Sequence, residues 1–305
     1  MGAMGVLLLL AGAAAAAAPC AGATPKPNIL HVLLDDFGWA DAGWHRPPGY
    51  TDLQSESPPH LPDSHCLTLP LHPGPNMNTL VQEGVELERH YVFQFCSPTR
   101  SAMQSGRNPI HVNTVNGAPD LRNPASSDTG WAGIPRSMTG IAEHMLRAGY
   151  RTHMYGKWDA GMGTPRHTPR GRGYQSSLVY FHHVNDAWSF VAWSEKSCLG
   201  REIIDLWEDN APAYGLNNSR NCSQANQSGC VYEDQLFADR VMAAVQPDPK
   251  PFFVFWAPRV VHSPLEVPQK QLDHFGFIDD GARRVYHAMV CRLLCAIARS
   301  RLASG

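Results

Sequence analysis

Two adjacent aspartates, a cysteine four residues before an arginine, a lysine after a glycine and a histidine beyond an aromatic run are the groups whose types and spacing point to chemistry. Asp35 and Asp36 follow the apolar stretch "PNILHVLL". Neighbouring carboxylates at the end of a buried strand repel each other unless a cation or hydrogen-bond donors offset their charge. A hard dication such as Ca²⁺ or Mg²⁺ takes oxygen ligands of this kind, and a pair that merely caps the next turn is the other reading. Cys96 opens "CSPTR", in which Arg100 offers a planar fork of donors suited to sulfate or phosphate. Lys157 in "MYGKW" and His262 in "APRVVHSPL" have the chemistry to hold an anion and to protonate a leaving oxygen. Each alone is as readily a solvated surface group.

The elements that must carry these residues are legible as patterns. "NILHVLL" and "PFFVFWAP" are continuous apolar runs, the mark of strands buried on both faces. "SMTGIAEHMLRAGYRTHMYGKW" predicts a capped amphipathic helix, a stop at Gly149 and a strand ending at Gly156-Lys157. "MNTLVQEG" predicts a helix, "VELERHYVF" alternates as a strand does, and the Cys96 segment predicts a turn into a helix. The Pro-rich tract from His45 to Pro75 predicts a surface loop. At the end, Val285, Met289, Leu293 and Ile297 with Tyr286, Val290 and Leu294 line one face of an amphipathic helix. Strands alternating with helices predict an α/β fold around a mostly parallel sheet, whose ligand crevice lies outside the carboxyl ends of the strands. That rule gathers Asp35, Asp36, Cys96, Lys157 and His262 on one edge.

Composition sets the surroundings. With 25 basic and 27 acidic residues in 305, the chain has no field to draw in nucleic acid or an anionic membrane surface. Residues 1–23 read as a signal peptide: an apolar core, then Ala21-Gly22-Ala23 of the A-x-A form, too short and without the basic flanks of a membrane anchor. Three sequons cluster at Asn217, Asn221 and Asn226, which predicts a glycosylated protein of the secretory pathway, secreted or lysosome-like. An oxidising compartment favours disulfides among Cys66, Cys198, Cys222 and Cys230, in a pairing the sequence leaves open. Cys291 and Cys295 share a helix face, where the backbone holds them poorly for mutual bonding.

"CSPTRSAMQSGR" resembles the sulfatase signature, C-x-P-[ST]-R followed by a short hydrophobic stretch and a glycine. "GYRTHMYGKW" resembles the second signature, and "NILHVLLDDFGW" and "APRVVHSPL" match the first metal segment and the histidine loop. The four occur in family order over about residues 27 to 290, with closest likeness to the arylsulfatase B, I and J group. The resemblance implies an alkaline-phosphatase-like α/β fold in residues 24–305 and a calcium-dependent hydrolase of sulfate esters. It also implies that a formylglycine-generating enzyme converts Cys96 to formylglycine, whose hydrated aldehyde supplies the attacking oxygen. Carried over by motif, Asp35, Asp36 and the modified Cys96 bind one Ca²⁺, Arg100 steadies residue 96, and Lys157 and His262 meet the sulfate and its leaving group.

Three departures stand out. Many members have G-K-W-H, whereas this chain has "GKWDAG" with Asp159, which would repel sulfate unless protonated or paired, for instance with Arg166 or Arg170. Gln104 and Ser105 replace a hydrophobic and a small residue of the first signature. Members also continue to a strand with an Asp-Asn metal pair and a further lysine, so the resemblance implies a C-terminally truncated domain with weak metal binding and impaired turnover. The competing expectations are a phosphate or phosphonate ester hydrolase of the same superfamily, and a non-catalytic secreted glycoprotein or fragment that keeps the fold. A hydrolase using unmodified Cys96 is disfavoured, because no histidine stands in a recognisable partner motif.

Overall fold

Four strands joined by parallel pairings form the heart of a six-stranded sheet, and three of them lead into residues singled out above. The computed structural model describes residues 25–45, 77–112, 133–192, 202–216 and 221–304. The strands are β1 (Ile29–Val32), β2 (Arg151–Lys157), β3 (Ser176–Tyr180), β4 (Trp207–Glu208), β5 (Ala211–Pro212) and β6 (Phe252–Ala257). Their order is β1-β6-β2-β3-β4-β5. The pairs β1·β6, β6·β2 and β2·β3 are parallel, and β3·β4 and β4·β5 are antiparallel. The helices are α1 (Met77–Glu83), α2 (Cys96–Ser105), α3 (Ile141–Arg147), α4 (Glu233–Ala244), α5 (Gln269–Leu272) and α6 (Gly281–Ser304).

The unbroken apolar run of β6 follows from its place between β1 and β2, where all six residues are buried. Side chains alternate across a strand, so Phe252, Val254 and Trp256 join one core with Phe237 and Val241 of α4 and Met289 of α6. Phe253, Phe255 and Ala257 join a second core with Ala142 of α3 and Met154 of β2. Helices therefore cover both faces of the sheet, which leaves its carboxyl edge as the open side. Gly156 lets β2 approach β6 closely. It has φ +104°, and a Cβ there would lie 2.0 Å from the Ala257 carbonyl oxygen.

Two local expectations are corrected. The alternating segment "VELERHYVF" forms no strand: residues 85–93 lack regular structure, and Val85 and Leu87 are 88% and 65% exposed. Alternation makes a strand only when a neighbour accepts its ladder of hydrogen bonds, and no described strand lies beside it. The predicted side-chain cap of α3 is absent, since its N-cap is Gly140. Gly149 does end that helix, at φ +89°. Residues 1–23, most of the Pro-rich tract, Cys66, Cys198 and Asn217 lie outside the described residues. Cys222 pairs with Cys230, and Cys291 is disulfide-bonded as well. Among the described residues no helix is long and apolar enough to cross a membrane.

Candidate active site

Asp35 lies just past β1, where its amide donates to the Val260 carbonyl and its own carbonyl accepts from the Val261 amide. These two bonds tie the loop after β1 to the loop after β6 that carries His262. The carboxylate is buried and meets two cations: Lys157 Nζ lies 2.8 Å from Oδ2, and Arg100 Nη2 lies 3.2 Å from Oδ1. The Cys96 thiol points at the same Oδ1 from 3.6 Å. Burial alone would raise the Asp35 pKa, but the Arg100 and Lys157 charges outweigh it and hold the carboxyl well below the ordinary range.

The three partners arrive from two elements, α2 and β2. Cys96 is the first residue of α2, whose far end is closed by Gly106 in the left-handed region. One turn on, Arg100 uses its fork twice, donating from Nη1 to the Lys157 carbonyl at 2.8 Å while Nη2 faces Asp35. The guanidinium is buried, and the nearby Asp35 charge holds its pKa above the usual value despite that burial. Lys157 closes β2 and is fully buried, so its ammonium is committed to Asp35 rather than displayed to solvent. Cys96 is half-buried and is the free cysteine among the described residues. Burial pushes its thiol pKa up, against the pull of Lys157.

Asp35, Cys96 and His262 each present one ligand atom within 4.8 Å of the others. Asp36 stands apart from this trio. Its backbone has φ +57°, and its carboxylate lies 3.4 Å from His262 Nε2 and is 62% exposed. An open cavity of about 220 Å³ runs along this group, lined by Asp35, Asp36, Cys96, Thr99 and Arg100 together with Phe93. The six residues predicted from motifs thus converge at the carboxyl edge of the sheet, with Lys157 and Arg100 behind Asp35 and with Asp36 and His262 at the rim.

Asp159 is paired, but not with Arg166 or Arg170. Its Oδ2 lies 2.8 Å from His183 Nδ1, and its Oδ1 accepts the Ser97 hydroxyl at 3.0 Å. Arg170 instead faces Asp209, at 3.9 Å. His183 had no motif to announce it. The available signal was the His182-His183 doublet just past β3, because the rule that gathers ligand groups at strand ends applies to that strand too. Asn221 and Asn226 are exposed, and the Asn226 side-chain amide donates to the Asn221 carbonyl. Gln104, buried in α2, accepts the Tyr174 hydroxyl at 2.8 Å, which gives this polar departure a structural use.

Comparison with known proteins points to one family. A family model described as Sulfatase matches residues 27–292. The chain is 27% identical to arylsulfatase J of Mus musculus over 92% of its own length and 40% of that protein. It is 26% identical to the N-acetylgalactosamine-6-sulfatase of the same species over 80% of its length and 42% of the relative. An arylsulfatase of Klebsiella aerogenes is 23% identical over 94% of this chain and 53% of that one. The chain thus spans about half or less of these relatives. In structure it is similar to Ps i-CgsB in complex with k-i-k-neocarrahexaose, with a TM-score of 0.64 over 91% of this chain and 55% of that one, at 20% identity.

Proposed function

We propose, from the premise that this chain belongs to the sulfatase family, that its site hydrolyses sulfate esters with a formylglycine made from Cys96 and one calcium ion. The observation that carries this reading is the convergence on Asp35 of the Cys96 thiol, the Arg100 fork and the Lys157 ammonium at the carboxyl edge of the sheet. The donor set fits a hard cation in part. The Asp35 and Asp36 carboxylates and an oxygen at residue 96 are the hard ligands calcium takes, whereas the His262 imidazole suits a sulfuryl oxygen or a leaving group better. When bound, the ion supplies electrostatic stabilisation of the sulfuryl oxygens.

The chain's own residues set the rest. Arg100 and Lys157 hold Asp35 ionised, which keeps a carboxylate ready for a cation. His262 donates its Nδ1 hydrogen to the Ser263 carbonyl at 2.6 Å, which leaves Nε2 toward Asp36 and the rim of the cavity. An unmodified thiol serves this site poorly as a nucleophile. Its raised pKa keeps it protonated near neutral pH, and that favours conversion of Cys96 over direct thiol chemistry.

A secretory location is supported by the leader-like residues 1–23, the disulfide between Cys222 and Cys230 and the exposed Asn221 and Asn226. In this reading Asn217, Asn221 and Asn226 carry glycans. The formylglycine-generating enzyme of that pathway is the partner the reading requires, and an aryl or saccharide sulfate is the substrate.

The test uses protein made in a secretory pathway. Mass spectrometry of the peptide spanning Cys96 is expected to show the thiol replaced by an aldehyde. Hydrolysis of an aryl sulfate and an aryl phosphate is then measured side by side, with calcium and with a chelator. Preference for the sulfate and loss with the chelator support the proposal. An intact thiol throughout, or preference for the phosphate, would overturn it.

A further inference from the structure

α2 carries residue 96 at its first position, and the N-cap there, Phe95, makes no side-chain capping hydrogen bond. What ties the helix to its surroundings is a polar stripe. Ser97, Arg100 and Gln104 stand at i, i+3 and i+7 on one face, and all three are buried. The Ser97 hydroxyl donates to Asp159 Oδ1 at 3.0 Å, Arg100 Nη1 donates to the Lys157 carbonyl at 2.8 Å, and Gln104 accepts the Tyr174 hydroxyl at 2.8 Å. Thr99 bonds as well, to the Phe93 carbonyl at 2.7 Å, but that contact stays within the same stretch of chain and does not tie it to the sheet.

Ser97 is the anchor of that stripe nearest residue 96. Arg100 alone would be a pivot, whereas Ser97 and Arg100 together grip residues 159 and 157 of one segment and fix how the helix is turned. Successive helical residues point about 100° apart, so a turn of α2 swings the side chain of residue 96 away from Asp35 Oδ1, which its sulfur faces at 3.6 Å. Asp159 is itself firmly held. It is buried, and its backbone sits at φ +45°, a place that a residue other than glycine keeps only where its surroundings fix it. Next to it the Trp158 amide donates to the Tyr180 carbonyl at 2.9 Å, and His183 Nδ1 lies 2.8 Å from Asp159 Oδ2, which leaves Oδ1 for Ser97. Asp205 pins the turn that delivers His183 by accepting the amides of Phe181 at 3.0 Å and His182 at 2.8 Å.

We propose that Asp159 is a positioning residue: through the Ser97 hydroxyl it fixes the rotation of α2 and so aims the reacting group of residue 96 at Asp35, an inference whose catalytic consequence rests on the sulfate-ester reading. Both carboxylate oxygens are taken, so Asp159 does not face a bound anion with a bare charge. Its work is done behind residue 96, on the helix that presents it. Ser97 fills the open position of C-x-P-[ST]-R, so its hydroxyl answers to this contact and not to the signature.

The test combines kinetics with a readout that needs no turnover. In the full chain, Ser97→Ala removes the donor, and Asp159→Gly removes the acceptor with a residue that tolerates φ +45°. With conversion of Cys96 matched by mass spectrometry, each is expected to lower kcat for an aryl sulfate about 10- to 100-fold with KM within about twofold, the signature of a misplaced reacting group. Because both remove one contact, the double variant is expected to fall no more than about threefold below the more damaging single one. Ser97→Thr keeps a hydroxyl and is expected to restore most of the turnover lost in Ser97→Ala. Should Asp159→Gly fail to fold, Ser97→Ala still carries the test. A folded Ser97→Ala with kcat within about threefold of the parent, or losses that multiply in the double variant, overturns the inference while leaving the sulfatase reading intact. A parent chain without turnover sinks that reading, and crystal structures of the unconverted parent and Ser97→Ala then decide the positioning role. A sulfur swung out of reach of Asp35 Oδ1 in the variant supports it, and a sulfur that stays in place overturns it.

Discussion

Lys157 Nζ lies 2.8 Å from Asp35 Oδ2, and the two side chains are 0% and 5% exposed. A pair this deep contributes little net stability over an apolar isostere, but removing one partner strands the other charge. Lys157→Met is therefore expected to cost about 3–5 kcal/mol in denaturant unfolding. The double variant Asp35→Asn/Lys157→Met should recover much of that loss. Because the folded Asp35 pKa is depressed, its contribution is present above the unfolded value of 3.8 and is lost as pH falls below it. Equal stabilities for the single and double variants would remove the pair's claim to be coupled.

The parts of this arrangement written in local sequence were legible. β1 and β6 announced themselves as continuous apolar runs and β2 as the stretch between the Gly149 stop and Gly156-Lys157, and the ends of those strands led to Asp35, Lys157 and the loop of His262. Residues 85–93 misled because alternation records a two-faced strand without saying whether a neighbour exists. The partner of Asp159 was hidden for a related reason. Nearby arginines looked adequate in sequence, but β2 and β3 are parallel neighbours, so a residue 24 positions away is the nearer one. Likewise, no pattern revealed that Lys157 would be turned inward onto Asp35.

Glu266 should make stability depend on pH near neutrality. It accepts Arg259 Nη1 at 3.0 Å and the Ala187 amide at 2.8 Å. Burial pushes its pKa up from 4.5 to about 7, and the Arg259 charge and the Ala187 amide offset this only in part, with the nearby Asp186 charge acting in the same direction as burial. A raised folded pKa means the contribution is complete below pH 4.5 and is lost as pH rises through 7, a change of about 3 kcal/mol. In thermal melts at pH 5 and pH 8 the parent should lose more stability than Glu266→Gln between those two values. His153 and His167, both lowered to about 4 by burial, act in the opposite sense but equally in both proteins. Parallel pH profiles for the two proteins would refute the assignment.

Gly156 controls where Lys157 stands. A Cβ at this position meets the Ala257 carbonyl oxygen at 2.0 Å, and φ +104° is itself unfavourable for any other residue. Relief would require β2 to move away from β6, breaking the register that pairs Gly156 with Ala257. Gly156→Ala is expected to destabilise the chain by at least about 3 kcal/mol. Chemical unfolding checks this, and a loss under 1 kcal/mol would show that the strands separate more easily than their packing indicates.

Arg100 separates charge from shape. Its Nη1 holds the Lys157 carbonyl and its Nη2 faces Asp35, so one rigid fork fixes the end of β2 against the carboxylate beyond β1. Arg100→Lys keeps the positive charge, but a lysine ammonium is a point donor on a flexible stem and cannot span both acceptors in that geometry. The expected outcome is a folded protein in which one of these contacts is lost and the other distorted, with stability lowered by about 1–3 kcal/mol, the scale of a buried charge-assisted hydrogen bond. Turnover should fall further than stability, because Cys96 and Arg100 share the first turns of α2 and a shift in one moves the other. Unfolding and aryl sulfate hydrolysis measured on the same preparation check both parts. A lysine variant with parental kcat would mean that charge alone is what Asp35 needs, and that the fork has no positioning role.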